Sequence, residues 1–207
     1  MSKYNLPSGL PLVLAITGAS GAVYARRLLE VLLRSGRDIH LTISPSGAAV
    51  IQQELGLTID LARPDLTELL PADLAEVTSR VVCHRHDDFL APIASGSFLT
   101  GGMVVCPCSG STLSGIAHAA STNLIQRAAD VHLKERRKLI LVPRETPLSV
   151  PQLENMLRVA QAGAVVLPAM PGWYHGVRSV DDLVDFVVAR ILDQLGVPHE
   201  LMRRWGE

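Results

Sequence analysis

The sequence predicts an α/β protein in which a doubly wound parallel sheet lies between two layers of helices. Short apolar runs alternate with amphipathic segments through most of the 207 residues, and this alternation is typical of repeated strand–helix–strand units. Hydrophobic residues make up 48% of the chain and aromatic residues only 4%. Such a composition suits a sheet that helices cover on both faces. The length favours one domain that spans residues 1–207.

Each predicted strand is a short apolar run that ends at a turn. Residues 12–16 are apolar throughout, as expected of a strand buried on both faces. We expect Pro107 to end the strand that precedes it, because proline has no N–H to donate to a sheet. The predicted strands are residues 12–16, 38–44, 80–83, 103–106, 139–142 and 164–167.

The helices are predicted from apolar periodicity and from end signals. The first, at 22–35, carries leucines on one face and stops at Gly36. Ser149 and Gln152 form a capping box, and Ser179 caps the last helix. The face expected to be buried after Ser149 consists of Leu153, Met156, Leu157 and Ala160. The other helices are predicted at 46–55, after Ser109 and at about 124–134, with irregular chain and short helical turns at 56–79 and 87–97.

Composition and charge exclude several classes of function. The net charge of −1 gives no general electrostatic case for nucleic acid or an anionic membrane. No apolar run is long enough to span a bilayer, and the polar start at residues 1–5 leads us to expect no signal peptide. The odd number of cysteines, without zinc spacing, indicates structural thiols in a reducing cytoplasm. The aspartate pairs 87–88 and 181–182 lack the partners that would hold magnesium, so we expect no metal.

Three turns that follow predicted strands have the composition of ligand-binding loops. The turn 17–21 reads Thr-Gly-Ala-Ser-Gly, Ser44 ends the second strand, and residues 106–112 read Cys-Pro-Cys-Ser-Gly-Ser-Thr. In open α/β sheets ligands lie beyond the carboxyl ends of the strands, where backbone amides at helix starts attract anions. Hydroxyl side chains at these places equally act as helix caps.

Charged residues supply further candidates. Arg144 and Glu145 follow a buried strand and stand between two prolines, which stiffen their loop. An exposed ion pair on a rigid turn is the alternative. Arg127 and Arg190 lie among apolar neighbours in predicted helices, where a charge needs a partner and an anionic ligand would serve. Lys134 begins a charged run at a helix end, which is commonly solvated.

Taken together, these motifs resemble UbiX-type flavin prenyltransferases, the UbiX/Pad family. The resemblance rests on the sequences at 17–21, 106–109, 127–131, 133–137, 141–145, 154–157 and 174–175, and it extends from about residue 12 to Trp205. It implies a Rossmann-like or flavodoxin-like subunit that binds FMN at a subunit interface, usually in a homododecamer. We expect the tail at about 196–207 to take part in subunit contacts.

The reaction that the resemblance implies joins dimethylallyl phosphate to reduced FMN without a metal. The product, prenylated FMN, is the cofactor of UbiD-type decarboxylases, including one in ubiquinone biosynthesis. Such a protein is expected to be a cytoplasmic transferase whose partner is a UbiD-type decarboxylase.

The resemblance also assigns site residues. Catalytic roles fall on Ser20, Glu54 and Glu145. Contacts with FMN fall on Gly18, Ala19, Ser20, Ser44, Ser109, Gly110, Ser111, Thr112 and Arg144, and the residue-level argument adds Arg127. The phosphate of the prenyl substrate falls to Lys134, Arg144, Tyr174 and Arg190. Pro45 after Ser44 and Trp173 before Tyr174 depart from the common pattern, which affects the fine FMN contacts and the fit of the prenyl chain.

Three alternatives remain open at this point. A flavoprotein that decarboxylates peptidyl or pantothenoyl cysteine would have a related stretch at residues 107–112, with His84 or His86 as its base. A non-catalytic FMN carrier would need neither Glu145 nor the phosphate-binding residues. An aromatic acid decarboxylase would have to turn over without a UbiD-type partner.

Overall fold

The computed structural model describes residues 9–206, and both the polar start at 1–5 and Glu207 lie outside them. Within residues 9–206, six parallel strands form one sheet in the order β3-β2-β1-β4-β5-β6. The strands are β1 (Leu12–Ile16), β2 (Ile39–Ile43), β3 (Val81–His84), β4 (Gly102–Cys108), β5 (Leu139–Pro143) and β6 (Val165–Val166). The chain changes direction between β1 and β4, and ligands of doubly wound sheets bind outside the carboxyl ends at such a switch point. The predicted Rossmann-like sheet is confirmed.

Helices cover both faces of this sheet, which gives the predicted three layers. One face carries α1 (Ala22–Arg34), α2 (Pro45–Leu55) and α6 (Val180–Leu195), and the other α3 (Gly110–Ala117), α4 (Leu124–Lys134) and α5 (Val150–Gln161). The division follows from the pleat of β1, where successive side chains point to opposite faces. Leu14 packs in the core with α1 and α6, while Val13 and Ala15 pack with α3 and α4.

The prediction that Pro107 ends the central strand is wrong. Strand β4 continues to Cys108, and its pairing with β5 shifts register between Val105 and Cys108. Pro107 cannot donate a hydrogen bond to the ladder, so the irregular stretch accommodates it and the pairing resumes at Cys108. Two buried thiols, those of Cys106 and Cys108, therefore lie near the carboxyl end of this central strand. Burial raises the pKa of Cys108 to about 12.

The predicted buried face of α5 is also wrong. The capping box of Ser149 and Gln152 is present, but Leu153 and Leu157 are 49% and 59% exposed. Ala160 is exposed as well, Met156 is half-buried, and the fully buried residue of this helix is Val159. Helix α5 packs against α3 and β6 through a small contact area. The reason is that β6, the edge strand on that side, is only two residues long and covers little of the helix.

The less regular parts agree with expectation. A 3-10 helix, Ala72–Arg80, occupies the end of the excursion after α2, and another, Pro92–Ala94, lies before β4. The leucine face of α1 is buried as predicted, and Gly36 follows its end with φ 75°. Within residues 9–206 no helix has both the length and the apolar character needed to cross a bilayer.

Candidate functional site

Thr17 ties the turn after β1 to the turn after β4. Its side chain is buried, and its hydroxyl donates to the carbonyl of Pro107 at 2.7 Å. The same hydroxyl accepts from the backbone N–H of Ser109 at 2.8 Å. The threonine therefore fixes the two turns at the switch point relative to each other.

The turns after β1 and β2 also touch. A Cβ atom at Gly18 would lie 2.5 Å from the Cβ of Ser46, and one at Gly47 would lie 2.6 Å from the carbonyl oxygen of Ile16. The close approach of the two turns therefore requires glycine at both positions, against the Ser46 side chain at Gly18 and against the Ile16 backbone at Gly47. Ser44 caps α2, since its hydroxyl accepts from the N–H of Gly47 at 3.0 Å. The capping alternative holds for Ser44, and its predicted contact with FMN stays a prediction.

The start of α3 concentrates hydroxyl groups. The Ser109 hydroxyl accepts from the backbone N–H of Thr112 at 3.3 Å and lies 3.0 Å from the hydroxyl of Thr112 and 3.1 Å from that of Ser111. Gly110 leaves room for the side-chain amide of Gln152, which lies 3.1 Å from its would-be Cβ. Hydroxyls and N–H groups at a helix N-terminus are a donor set for a phosphate or a polyhydroxyl chain. This donor set fits FMN, which carries both groups.

Glu54 places a carboxylate at the N-terminus of α1. Its oxygens accept from the N–H of Gly21 at 2.9 and 3.1 Å and from the N–H of Ala22 at 2.8 Å. Gly21 has φ 118°, in the left-handed region that favours glycine, and the turn supplies no side-chain cap of its own. The alternative in which Ser20 merely caps α1 therefore does not hold: the cap comes from the end of α2.

Ser20 and Arg144 join Glu54 in one cluster. Burial alone raises the pKa of Glu54, but the Ser20 hydroxyl, the two backbone N–H groups and the charge of Arg144 together outweigh it. The net pKa lies below the usual value of 4.5. Arg144 reaches the cluster from the end of β5, where its Nε donates to the carbonyl of Ser20 at 3.1 Å. The structure thus assembles an ionised carboxylate, a hydroxyl and a guanidinium at the switch point.

Glu145 faces a neighbouring cavity. Its Oε1 accepts from the N–H of Thr146 at 3.1 Å. The cavity measures about 250 Å³, and Arg144 and Glu145 share its wall with the side chains of Met156 and Met170. A charged pair beside an apolar wall is suited to a ligand with an anionic and an apolar part.

The two helical arginines have partners within the chain, which corrects the argument that each needs a ligand. Arg127 donates to the carbonyl of Ala94 at 3.1 Å and to Asp130 at 3.1 Å. Arg190 donates to Asp193 at 2.7 Å, and its side chain is 45% exposed. The apolar neighbours of Arg190 in sequence point to other faces of α6, because successive helical residues are about 100° apart.

Arg190 nevertheless borders the cavity of Glu145. It lines a groove of about 240 Å³ along β6, and Pro168 and Met170 form walls of both the groove and the cavity. Tyr174 lies further along, edge to face with Phe186 of α6 at 5.7 Å between ring centroids. Another cavity, of about 300 Å³, is lined by Tyr174, Arg204 and Trp205, among others.

Lys134 lies near the amino ends of the strands, opposite the carboxyl ends where the other candidate residues meet. It ends α4 next to Glu135, and its Nζ lies 2.9 Å from the would-be Cβ of Gly96, in the segment before β4 begins. Strand β5 is 5 residues long, which at roughly 3.3 Å per residue places about 13 Å of sheet between Lys134 and Arg144. The chain by itself therefore does not bring Lys134 to the other predicted phosphate ligands.

Two residues near the cluster were not assigned any role from sequence. Thr17 belongs to the predicted turn, but its link to Pro107 joins residues 90 positions apart. Tyr24 packs its ring 2.9 Å from the would-be Cβ of Gly21. Its pKa is raised, mainly by burial and further by Cys106, while Arg144 opposes the shift. The Tyr24 ring thus packs against the turn at Gly21. The sequence indicates this contact only through the position of Tyr24 about one helical turn after Gly21.

Comparison with known proteins decides the family. The family model described as Flavoprotein matches residues 2–192. The flavin prenyltransferase UbiX of Halalkalibacterium halodurans is 50% identical over 192 residues, which cover 93% of this chain and 91% of that protein. The UbiX of Pseudomonas aeruginosa is 50% identical over 95% of this chain and 94% of that protein. The chain belongs to the UbiX flavin prenyltransferase family.

Solved structures of the UbiX family share this fold. The crystal structure of AnUbiX (PadA1) in complex with FMN and dimethylallyl pyrophosphate matches with a TM-score of 0.83 at 39% identity, covering 96% of this chain and 98% of that one. A dodecameric FMN-dependent UbiX-like decarboxylase from Escherichia coli O157:H7 has the same TM-score at 40% identity, covering 96% and 100%. The peptidyl-cysteine decarboxylase EpiD has a TM-score of 0.55 at 14% identity, covering 89% and 97%, and shares the fold alone.

Proposed function

We propose that this chain is a flavin prenyltransferase that joins dimethylallyl phosphate to reduced FMN and forms prenylated FMN. The observation that carries the proposal is the cluster of Ser20, Glu54 and Arg144 beside the cavity of Glu145. A cysteine decarboxylase or a simple carrier does not need two glutamates and a guanidinium at one edge of the sheet. We further propose that residues 1–207 form a single FMN-binding domain.

The turns at the switch point would hold FMN. The carboxylate of Glu54 already occupies the positive end of α1, and a second anion there would be repelled. The hydroxyl-rich start of α3 is therefore the better place for the anionic end of the flavin nucleotide. We propose as FMN-binding residues Gly18, Ala19, Ser20, Ser44, Ser109, Gly110, Ser111, Thr112, Arg127 and Arg144.

The charged residues would handle the phosphate that leaves. Breaking the allylic C–O bond of dimethylallyl phosphate releases a phosphate dianion, and fixed cations lower the energy of that charge separation. Arg144 lines the cavity of Glu145 and Arg190 the adjoining groove, and Tyr174 can donate its phenolic proton. We propose that these three residues bind the phosphate, together with Lys134.

The two glutamates suit different proton transfers. Reduced FMN supplies the nucleophilic nitrogen and carbon that become prenylated. Glu54, whose pKa is lowered, is ionised at neutral pH and can accept a proton as the new ring closes, with the Ser20 hydroxyl as its neighbour. Glu145 lies on the side of the apolar cavity and is placed to protonate the departing phosphate. We propose that Glu54 accepts the proton at ring closure and that Glu145 protonates the phosphate.

The position of Lys134 supports an oligomer. Within one chain, Lys134 and Arg144 lie at opposite ends of strand β5. A phosphate site that contains both residues therefore needs a second copy of the chain. Val150, Leu153 and Leu157 form an exposed apolar face on α5, which a copy would cover. The dodecameric relative supports a homododecamer, and we propose that residues 196–207 contribute to its contacts.

The product would serve another enzyme. Prenylated FMN is proposed to pass to a UbiD-type decarboxylase of ubiquinone or aromatic acid metabolism, and the chain to act in the cytoplasm. Proteins at 44–50% identity that carry the name flavin prenyltransferase support the reaction class.

Mass spectrometry of the flavin tests the proposal. The protein is incubated without oxygen with reduced FMN and dimethylallyl phosphate, and the flavin is then released and weighed. We expect the gain of one five-carbon prenyl unit in the native protein and in Glu68→Gln, an exposed control. We expect strong loss of product in Glu54→Gln and Glu145→Gln.

The other outcomes separate the alternatives. Unmodified FMN with decarboxylation of an added peptide that ends in cysteine would support the cysteine decarboxylase. Release of carbon dioxide from an aromatic acid by this protein alone would support the aromatic acid decarboxylase. Tight FMN binding with none of these reactions would support the carrier.

A further inference from the structure

Asp193, close to the end of α6, gathers three basic side chains. Its Oδ2 accepts from Nη1 of Arg190 at 2.7 Å. Its Oδ1 accepts from Nη2 of Arg204 at 2.9 Å and faces Nε2 of His199 at 3.2 Å. The carboxylate is 18% exposed and the His199 side chain 2% exposed. This is a sheltered cluster, and such geometry is stronger than an isolated surface ion pair.

The cluster holds a fixed balance of charge. Burial raises the pKa of Asp193, but hydrogen bonds and charge from Arg204 and His199 lower it further than burial raises it. The carboxylate therefore stays ionised at neutral pH. Without it, Arg190 and Arg204 would face each other as like charges, and Arg190 would adopt other solvated rotamers.

The same aspartate anchors the segment that follows α6. His199 and Arg204 both belong to that segment, and Trp205 comes directly after Arg204. The Trp205 ring meets the edge of Tyr174 with 5.2 Å between centroids. Trp205 is 82% exposed, so its burial in the chain does not hold it in place. The hydrogen bonds of the residues before it do.

We propose that Asp193 is a positioning residue for the phosphate subsite. It orients Arg190 through a direct hydrogen bond and holds residues 199–206 against α6, so that Tyr174 and Trp205 keep one arrangement. Asp193 lines neither the cavity of Glu145 nor the groove of Arg190, so it acts on the phosphate through Arg190 and not by direct contact. This inference rests on the proposed function, since Arg190 and Tyr174 are phosphate ligands only in a prenyltransferase.

The test compares kinetics with a local probe of the segment. The chain has two tryptophans, so Trp173→Phe leaves Trp205 as the only one. Because Trp205 is already exposed, its fluorescence anisotropy, which measures local mobility, reports how firmly the segment is held. We compare Asp193→Ala, Asp193→Asn and Asp185→Asn. Anisotropy is measured in the Trp173→Phe background, and KM in proteins that keep Trp173, because that residue bears on the fit of the prenyl chain. Asp185 is the matched control, because it lies on the same helix, is 20% exposed and forms an ion pair with Arg27 at 2.7 Å.

We expect Asp193→Ala to raise the KM for dimethylallyl phosphate by about tenfold, as expected for the loss of one charge-assisted hydrogen bond. The Kd for FMN should stay the same and the fluorescence anisotropy of Trp205 should decrease. Asp193→Asn should give a smaller change in both, since its amide oxygen still accepts one hydrogen bond. Asp185→Asn should change neither quantity.

Unchanged KM and unchanged Trp205 anisotropy in Asp193→Ala would overturn the proposal. So would an equal rise in the Kd for FMN and in the KM for dimethylallyl phosphate, which indicates general damage to the fold. If Asp193→Ala does not fold, Asp193→Asn and Arg204→Gln decide in its place, and both must lower the anisotropy. If the protein with native Asp193 makes no prenylated flavin, the proposed function fails and the phosphate role with it, while the anisotropy still shows whether Asp193 holds the segment.

Discussion

Replacing Glu54 by glutamine tests the central cluster most directly. The carboxylate accepts from two backbone N–H groups, those of Gly21 and Ala22, at 2.8–3.1 Å. Glutamine has nearly the same shape but presents only one acceptor oxygen, and its NH₂ group would face an N–H donor. The variant therefore removes one hydrogen bond and the negative charge at the start of α1 without opening a cavity.

The expected loss of stability follows from these contacts. A hydrogen bond to a charged group is worth roughly 1.5–3 kcal/mol and a neutral one about 0.5–1.5 kcal/mol, while a charge at a helix end adds about 0.3–1 kcal/mol. Because the Glu54 side chain is exposed to solvent, which weakens charged interactions, we take the lower part of this range, about 1–2 kcal/mol. For a domain of this size that corresponds to a decrease of about 2–8 °C in Tm.

The effect should depend on pH in a defined direction. The pKa of Glu54 in the folded protein is below its usual value of 4.5, so the ionised form stabilises the fold. That contribution is complete above the usual value and is lost as the pH falls through the lowered pKa. The difference between the native protein and Glu54→Gln should therefore be constant from pH 7 down to about 5 and should shrink below 4.5.

Chemical denaturation at several pH values, with the flavin absent, measures this difference. Glu68→Gln serves as the exposed control and should not differ from the native protein. A Glu54→Gln variant as stable as the native protein at pH 7 would refute the argument that Glu54 caps α1. A difference that grows as the pH falls below 4.5 would refute the assigned direction of the pKa shift.

Three further predictions concern other residues. Thr17→Val should cost about 1–3 kcal/mol in denaturation, because the Ser109 N–H loses its acceptor and the Pro107 carbonyl a donor; a cost near zero would contradict the link between the turns. Arg144→Lys should reduce prenylated flavin at least about tenfold in the mass assay, since lysine lacks the planar fork of donors; unchanged product would contradict a directional role. Burial lowers the pKa of His132 to about 4. As the pH is lowered from 6.5 to 4, the unfolded chain therefore binds a proton that the folded protein does not, and the free energy of unfolding should decrease. His132→Gln should flatten that dependence, and an unaltered profile would contradict it.

The predicted site was brought together in part. Ser20 and Arg144 were predicted because they follow strands, and parallel strands end at one edge of a sheet. Glu54 came only from the resemblance, because nothing near it in sequence indicates that it reaches Gly21, 33 residues away. Lys134 lies near the amino ends of the strands, because a helix that connects two parallel strands must end where the next strand begins.

Local sequence determined the elements of this protein and the side of the sheet at which its site lies. The capping box at Ser149, the helix cap at Ser179 and the strand–turn–helix order depend on residues a few positions apart, so the chain reveals them directly. Only the tertiary structure decided which faces are covered. It left Leu157 of α5 in solvent, placed Glu54 on the start of α1 and gathered Arg190 and Arg204 on Asp193. Those outcomes depend on partners distant in sequence, whose approach is set by how the helices pack on the sheet.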